Sequence, residues 1–593
     1  MRLGVGILFI FLSNYFNVLT PQITGFIIDF VQKKLGYPVN GNTVGYDPLV
    51  KKFIHWVDRP RYTWDKAVAL CGIIILGLAL LRGFFLFLMR QTIIVMSRHI
   101  EFEQKNEIYN HYQRLDAAFY KRNSTGDLMN RIAEDVSRVR MYTGPAIMYL
   151  VNLIAVIALA VFAMYNRDKL LTLYVLAPLP ILAVAIYFVN NTINKKSERI
   201  QASLSDLTTN AQESYSGIRV IKSFVQEKAM LGFFMKNSEE YRKNAVGLAR
   251  VEAIYFPSIT LLIGLSTIFT IMIGGIYYIQ GTHNIHLGTI VEFVMYINML
   301  TFPVSAIGLT ASMIQRAAAS QKRFNEFLST TPTIREPLKA SSMKVEGDIR
   351  FENVDFVYTD TGIKALSNFN LGIKKGEKVA IVGRTGSGKT TVAQLLLRMY
   401  DVSGGRIQLD GVDIQQVGLK ALREQVSYVP QDVFLFSDTV ANNIRFGLNQ
   451  NVSADVERAA RQACVHNEIT QFSEGYNTMI GERGVTLSGG QKQRISIARA
   501  LVKEPGMVIF DDCLSAVDAK TEKEIIANLN EYLQGKTAVI ITHRIFSLLE
   551  FDKIVVLEDG EIVEQGTHQQ LLSNSGGFYA ALYARQQETE RES

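Results

Sequence analysis

The sequence predicts two halves of different fold class: an all-α domain of six membrane-spanning helices, then an α/β domain built on a phosphate-binding loop. Three observations carry this. Six apolar stretches precede residue 320. Beyond residue 348 apolar strands alternate with helical segments, none of them long enough to span. Within that second half lies Gly383-Arg384-Thr385-Gly386-Ser387-Gly388-Lys389-Thr390, set between a strand and a helix. The predicted boundaries are 1–330 for the membrane half, 331–347 for a linker, 348–585 for the α/β domain and 586–593 for a C-terminal tail.

A chain of 593 residues is long enough for more than one domain. Its mean hydropathy of +0.12 places apolar residues in concentrated segments. With 48% hydrophobic residues there is too much apolar surface for a disordered chain. Only Cys71, Cys464 and Cys513 occur, which excludes a disulfide scaffold, and none of them pair at metal-ligand spacing. The net charge of +7 is a small surplus over 62 basic and 55 acidic residues.

The spans fall at 3–28, 67–96, 145–165, 170–189, 254–279 and 289–309. About 20 apolar residues suffice to cross a hydrocarbon core. The first span also has the look of a signal peptide, but its apolar run continues to Ile28 and no small-residue cleavage site closes it. Little sequence precedes it, so no amphipathic helix is expected ahead of it. Lys and Arg set the orientation. Residues 98–140 hold eight and 195–250 hold ten, against six in 31–65, two in 166–169 and none in 281–288. The two long loops are therefore cytoplasmic. The basic surplus then reads as topology and contact with anionic lipid, not as nucleic-acid binding. Both loops are proline-free and helical in pattern, so spanning helices are expected to run on past the bilayer. Breaks at 119–126 and 215–224 could each seat a short transverse helix.

Pro332, Pro337 and Ser341-Ser342 mark the linker. The strand at 378–382 leads into the phosphate loop, and a helix follows from Thr391. Glycines let backbone amides turn toward phosphate oxygens, and the helix N-terminus adds positive potential. Lys389 can reach the terminal phosphates, and the Thr390 hydroxyl can ligate Mg²⁺. A second strand, 506–510, ends in Asp511-Asp512, where Asp511 is placed to hold the Mg²⁺ shell.

The segment between these motifs, Leu487-Ser488-Gly489-Gly490-Gln491, resembles the signature of ABC ATPases. The chain is also similar to that family at Tyr358, at Gln431 in Val-Pro-Gln-Asp, at Ser515-Ala-Val-Asp518 and at His543 in Ile-Thr-His-Arg. Six spans ahead of one such domain resemble an ABC exporter half-transporter. The resemblance implies that Tyr358 stacks on adenine and that residues 383–391 bind ATP. It implies that Gln431 senses the γ-phosphate and joins Thr390 and Asp511 around Mg²⁺. It implies catalytic roles for Asp512, Gln431 and His543, and places Ser515 and Asp518 in the family's D-loop. The signature would close over nucleotide held by an opposing chain, so one ATPase domain without internal repeat implies a dimer. Breaks 119–126 and 215–224 then fall where the family's coupling helices lie.

One departure shapes the finer expectation. The family usually carries glutamate where this chain has Asp512. Aspartate is one methylene shorter, about 1.5 Å of reach, and a misplacement of about 1 Å can cost about a hundredfold in rate. The expectation is that ATP binds here but hydrolyses slowly, as in the degenerate-site subunit of a heterodimeric multidrug exporter. The alternative is a homodimer in which Asp512 works as a poorer base. The function that follows is ATP-driven export of a lipophilic or amphipathic compound across the cytoplasmic membrane, the ATPase domain lying in the cytoplasm. A homodimeric lipid flippase and an ATP-gated regulatory membrane protein are the alternatives.

Weaker signals lie in the spans. Arg82 and Arg90 read as cavity lining, as members of an inter-helix ion pair, or as interfacial residues. Glu292 reads as a snorkelling residue at the rim of the last span. Asn14, Asn17 and Gln22 form a polar stripe suited to a pathway or to inter-helix hydrogen bonds.

Overall fold

The computed structural model describes residues 1–37, 45–57, 64–337, 344–448, 453–481, 487–514, 517–543, 551–574 and 576–592. They form two compact units. One comprises Met1–Tyr112 and Gly126–Thr330, the other Gln113–Thr125 and Thr331–Ser593.

Among its described residues the first unit is helical, with six helices long and apolar enough to cross a membrane. The first is Arg2–Lys34, the second Trp64–Arg114, the fifth Glu227–Gln280 and the sixth Leu287–Leu328. At 51 and 54 residues, the second and fifth far exceed what a bilayer needs, as their proline-free charged extensions predict. The third is interrupted by two π-helical turns, Arg131–Asp135 and Tyr142–Ala146, the latter at Pro145. The fourth breaks at Pro178, whose ring cannot continue the preceding hydrogen-bond ladder. Short helices at Ala117–Arg122, within the second unit, and at Ile218–Ser223 overlap the two breaks where transverse helices are expected. Leu80 and Leu173 are 67% and 71% exposed. Apolar surface left open on this scale belongs against lipid or another chain.

The polar stripe of the first span is spent on packing. Asn14 donates to Asn152 Oδ1 at 2.8 Å, Asn17 donates to Met299 Sδ, and Gln22 Oε1 accepts from the Asp47 amide at 2.9 Å. The first and last spans touch backbone to backbone. A Cβ on Gly288 would lie 2.1 Å from the Gly25 carbonyl oxygen, and the Gly288 amide donates to Asp29 Oδ1 at 2.7 Å.

Glu292 corrects its sequence reading. It is not a rim residue reaching for water but is fully buried, paired with Arg167 at 3.0 Å. Arg167 in turn lies 3.7 Å from the centre of the Tyr46 ring. A lone charge there would be untenable, and the pairing makes its burial possible. Arg82 and Arg90 are exposed and join no ion pair among the described residues.

Among its described residues the second unit holds two sheets. In the first, β1 (Ile349–Val357), β2 (Lys364–Ile373), β4 (Gly404–Leu409) and β5 (Val412–Asp413) pair antiparallel in the order β2-β1-β4-β5. The second contains β3 (Lys378–Gly383), β6 (Val426–Val429), β7 (Met507–Asp511), β8 (Thr537–Ile541), β9 (Lys553–Glu558) and β10 (Glu561–Gly566). Its order is β10-β9-β3-β8-β7-β6, parallel except at the β9–β10 edge. Every residue of β7 and β8 is buried. That burial on both faces is why these strands read as unbroken apolar runs rather than alternating ones. The helix Phe578–Glu592 runs across the boundary drawn at 585/586.

Candidate active site

The phosphate loop connects β3 to the helix Lys389–Leu396. Gly388 caps that helix at φ +98°, a conformation that glycine alone adopts freely. It also passes so close to β2 that a Cβ would lie 2.3 Å from the Ala365 carbonyl oxygen. Lys389 Nζ donates to the carbonyls of Gly383 and Arg384 at 2.9 and 2.7 Å. Burial pushes its pKa below the ordinary lysine value, against the nearby Asp512 and Asp511 charges. The Arg384 side chain lies 4.0 Å from Glu558.

At the end of β7 the Asp511 carboxylate accepts from Thr390 Oγ1 and from the Tyr428 hydroxyl, both at 3.1 Å. Burial raises its pKa, and those two hydrogen bonds oppose the rise. Asp512 follows with φ +46°, a left-handed backbone that aspartate tolerates and that concentrates at functional sites. Its amide donates to the Ile541 carbonyl at 2.8 Å. Its carboxylate meets His543 Nδ1 at 3.0 Å and accepts from Gln431 Nε2 at 3.3 Å.

These groups line one open cavity of about 350 Å³. Tyr358, Thr385, Gly386, Gly388, Lys389, Thr390, Thr391, Gln431, Asp511, Asp512 and His543 all contribute. Residues far apart in sequence, from Thr385 after β3 to Asp512 after β7 and His543 after β8, thus meet because those strands lie side by side, and Tyr358 joins them from the end of β1 in the other sheet. The Tyr358 hydroxyl meets Thr391 Oγ1 and donates to Gln394 Oε1, each at 3.0 Å. The Ser387 hydroxyl is buried and has no hydrogen-bond partner among the described residues. Glycines 386 and 388 at positive φ and an ammonium resting on neutral carbonyls suit a polyphosphate. Thr390, Asp511 and Gln431 supply the hard oxygen ligands that Mg²⁺ prefers.

Leu487–Gln491 do not line this cavity. Ser488 caps the helix Gly489–Leu501 by accepting from the Gln491 amide at 3.2 Å, and its own amide donates to Gln491 Oε1 at 2.9 Å. Asp518 caps the helix Ala519–Tyr532 through the Thr521 amide at 3.0 Å. Ser515 lies outside the described residues.

Sequence reasoning missed Lys121, which also lines the cavity. It belongs to the first transverse helix, between the second and third spans, and nothing local marks it as nucleotide-facing. That helix is capped by Asp116, which accepts from the Phe119 amide at 3.1 Å and from the amide and hydroxyl of Thr333, each at 2.5 Å. Burial acts to raise the Asp116 pKa, but the Thr333, Phe119 and Ile334 hydrogen bonds outweigh it and hold it low.

Among known families, residues 3–304 match the ABC transporter transmembrane region and 366–515 match the ABC transporter family. A probable multidrug resistance ABC transporter ATP-binding/permease protein, YheI of Bacillus subtilis strain 168, is 38% identical over 485 residues, covering 82% of each chain. The multidrug resistance-like ATP-binding protein MdlA of Escherichia coli K12 is 33% identical over 96% of this chain and 92% of its own. An ATP-dependent lipid A-core flippase of Syntrophus aciditrophicus is 34% identical over 82% of this chain and 80% of its own. A bacterial Atm1-family ABC exporter solved with ATP bound shares the fold at TM-score 0.77 and 24% identity, covering 99% of this chain and 98% of that one.

Proposed function

The chain belongs to the ABC transporter family, a multi-pass membrane protein with its ATP-binding domain in the same polypeptide; from that premise we propose that it is one half of a dimeric exporter of lipophilic or amphipathic compounds. Exporters of this family work as dimers. Here the opposing subunit is a second half-transporter that carries glutamate after its strand aspartate. The names of the relatives from B. subtilis and E. coli support a drug-like cargo, and the flippase relative supports a lipid one.

The observation that carries this reading is the geometry around Asp512. Its carboxylate sits between Gln431 and His543, where an attacking water would be oriented. In this role Asp512 takes up the proton of that water, Gln431 holds the water against the γ-phosphate, and His543 donates to the developing oxyanion charge. Lys389 and the loop amides stabilise the phosphates. When bound, Mg²⁺ would neutralise charge on the β- and γ-oxygens, with Thr390, Asp511 and Gln431 as its holders. The shorter aspartate sets the water back from the phosphorus, so this pocket acts mainly as a clamp. Leu487–Gln491 would complete the partner's pocket, which does most of the turnover.

ATPase assays on the purified chain alone, then on the chain reconstituted with a glutamate-bearing half-transporter, test this. The expected result is slow turnover alone and fast turnover in the mixed dimer. Brisk turnover by the chain alone, unchanged by Asp512→Glu, overturns the degenerate site and leaves the homodimer. Uptake of fluorescent amphiphiles and labelled lipids into inverted vesicles identifies the cargo class.

A further inference from the structure

The Tyr358 side of the cavity carries a cation that the phosphate loop does not supply. Lys121 Nζ lies 4.0 Å from the centre of the Tyr358 ring and 3.4 Å from Asp360 Oδ2. A cation at that distance over an aromatic face is attracted by the ring quadrupole. Tyr358 is not free to turn away from it. Its hydroxyl is tied to Thr391 and Gln394, and Phe356 and Tyr400 pack edge-on against the ring at 4.8 and 5.5 Å. The face that remains is the face a nucleobase would stack on, and the Lys121 ammonium lies over it.

The mechanical setting matters as much as the contact. Lys121 sits near the end of a six-residue helix whose start is fixed to the linker through Asp116 and Thr333. The fixed end leaves the Lys121 end as the one that can yield. Asp360 is already close enough to keep the ammonium when the ring face is taken.

We propose that Lys121 guards the Tyr358 face, so that a nucleobase binds by displacing this ammonium and thereby reports occupancy to the first transverse helix. The ligand class is a nucleoside triphosphate. A bare triphosphate fills the phosphate loop without competing for the ring. The inference rests on the reading of Tyr358 as the base shelf.

Calorimetric binding of Mg-ATP and of Mg-tripolyphosphate to the purified full chain in nanodiscs separates these claims. The readout is the preference for ATP over tripolyphosphate, since any general loss of positive charge moves both ligands together. Lys121→Ala should raise that preference about two- to fivefold, the equivalent of one partly exposed cation–π contact. Lys121→Arg should lower it, because a guanidinium stacks better on the ring. A preference unchanged or lowered in Lys121→Ala overturns the guard. Tyr358→Ala tests the shelf separately. If the ATP preference survives it, the shelf reading fails. If Tyr358→Ala abolishes the preference while Lys121→Ala leaves it untouched, the shelf stands and the guard alone falls. The Lys121 side chain is about half exposed, so thermal melting of each variant should match the parent.

Discussion

Arg167 and Lys389 are both basic side chains drawn out of water, and they are satisfied in opposite ways. Arg167, in the membrane half, faces the Glu292 carboxylate at 3.0 Å with side-chain exposures of 6% and 0%, and has the Tyr46 ring close by. Lys389, in the ATPase half, joins no ion pair among the described residues and rests on two backbone carbonyls. A charge neutralised by its own chain is scaffold. A charge left on neutral acceptors keeps its attraction for an incoming anion, and burial sharpens that attraction by lowering the local dielectric. The same contrast separates the carboxylates. Glu292 is spent on Arg167 and fully buried, whereas the Asp512 carboxylate, beside Gln431 and the half-exposed His543, lines the open cavity.

The contrast is broken most easily at Arg167. Arg167→Ala strands a buried carboxylate and should cost about 3–5 kcal/mol, read as a fall in melting temperature in detergent. Arg167→Met with Glu292→Leu should restore most of it. A tolerant single variant would show that the pair is not scaffold at all. Next in size, Lys389→Ala should reduce ATP turnover of the assembled dimer about 10²–10³-fold, the scale for losing one stabiliser of developing charge. It should leave the melting temperature of the membrane half unchanged. Asp512→Glu sharpens the comparison from the other side. Extending the carboxylate should raise turnover at this pocket by up to about a hundredfold, measured with the partner's catalytic glutamate removed. The smallest effect belongs to Ser488→Ala. It removes the cap of the Gly489–Leu501 helix and should destabilise the ATPase half by about 1 kcal/mol, seen in chemical denaturation of the full chain.

What could be read from the sequence followed the range of the interaction. The spans were legible because each is a local run of hydropathy, and the phosphate loop because its glycines, lysine and threonine sit within eight positions. Asp511 and Asp512 were legible because an apolar strand points to them. Glu292 was misread as a rim residue because its partner, Arg167, lies 125 positions away on a different helix. Lys121 was invisible for the same reason, since its seat over Tyr358 depends on a loop between two spans folding into the ATPase unit. The π-helical turns of the third span carry no sequence signal beyond Pro145. The polar stripe of the first span was readable as polar, while its partners Asn152, Met299 and Asp47 were not.

The contact between Gly25 and Gly288 has a consequence for how the first and last helices can part. With no side chain between them, there is no soft cushion that yields by degrees. Separation at that point is a step in which the Gly288 amide leaves Asp29 and two peptide planes come off one another together. A single methyl at either glycine would act as a doorstop, holding the pair ajar and fixing the subunit in whichever state tolerates the gap.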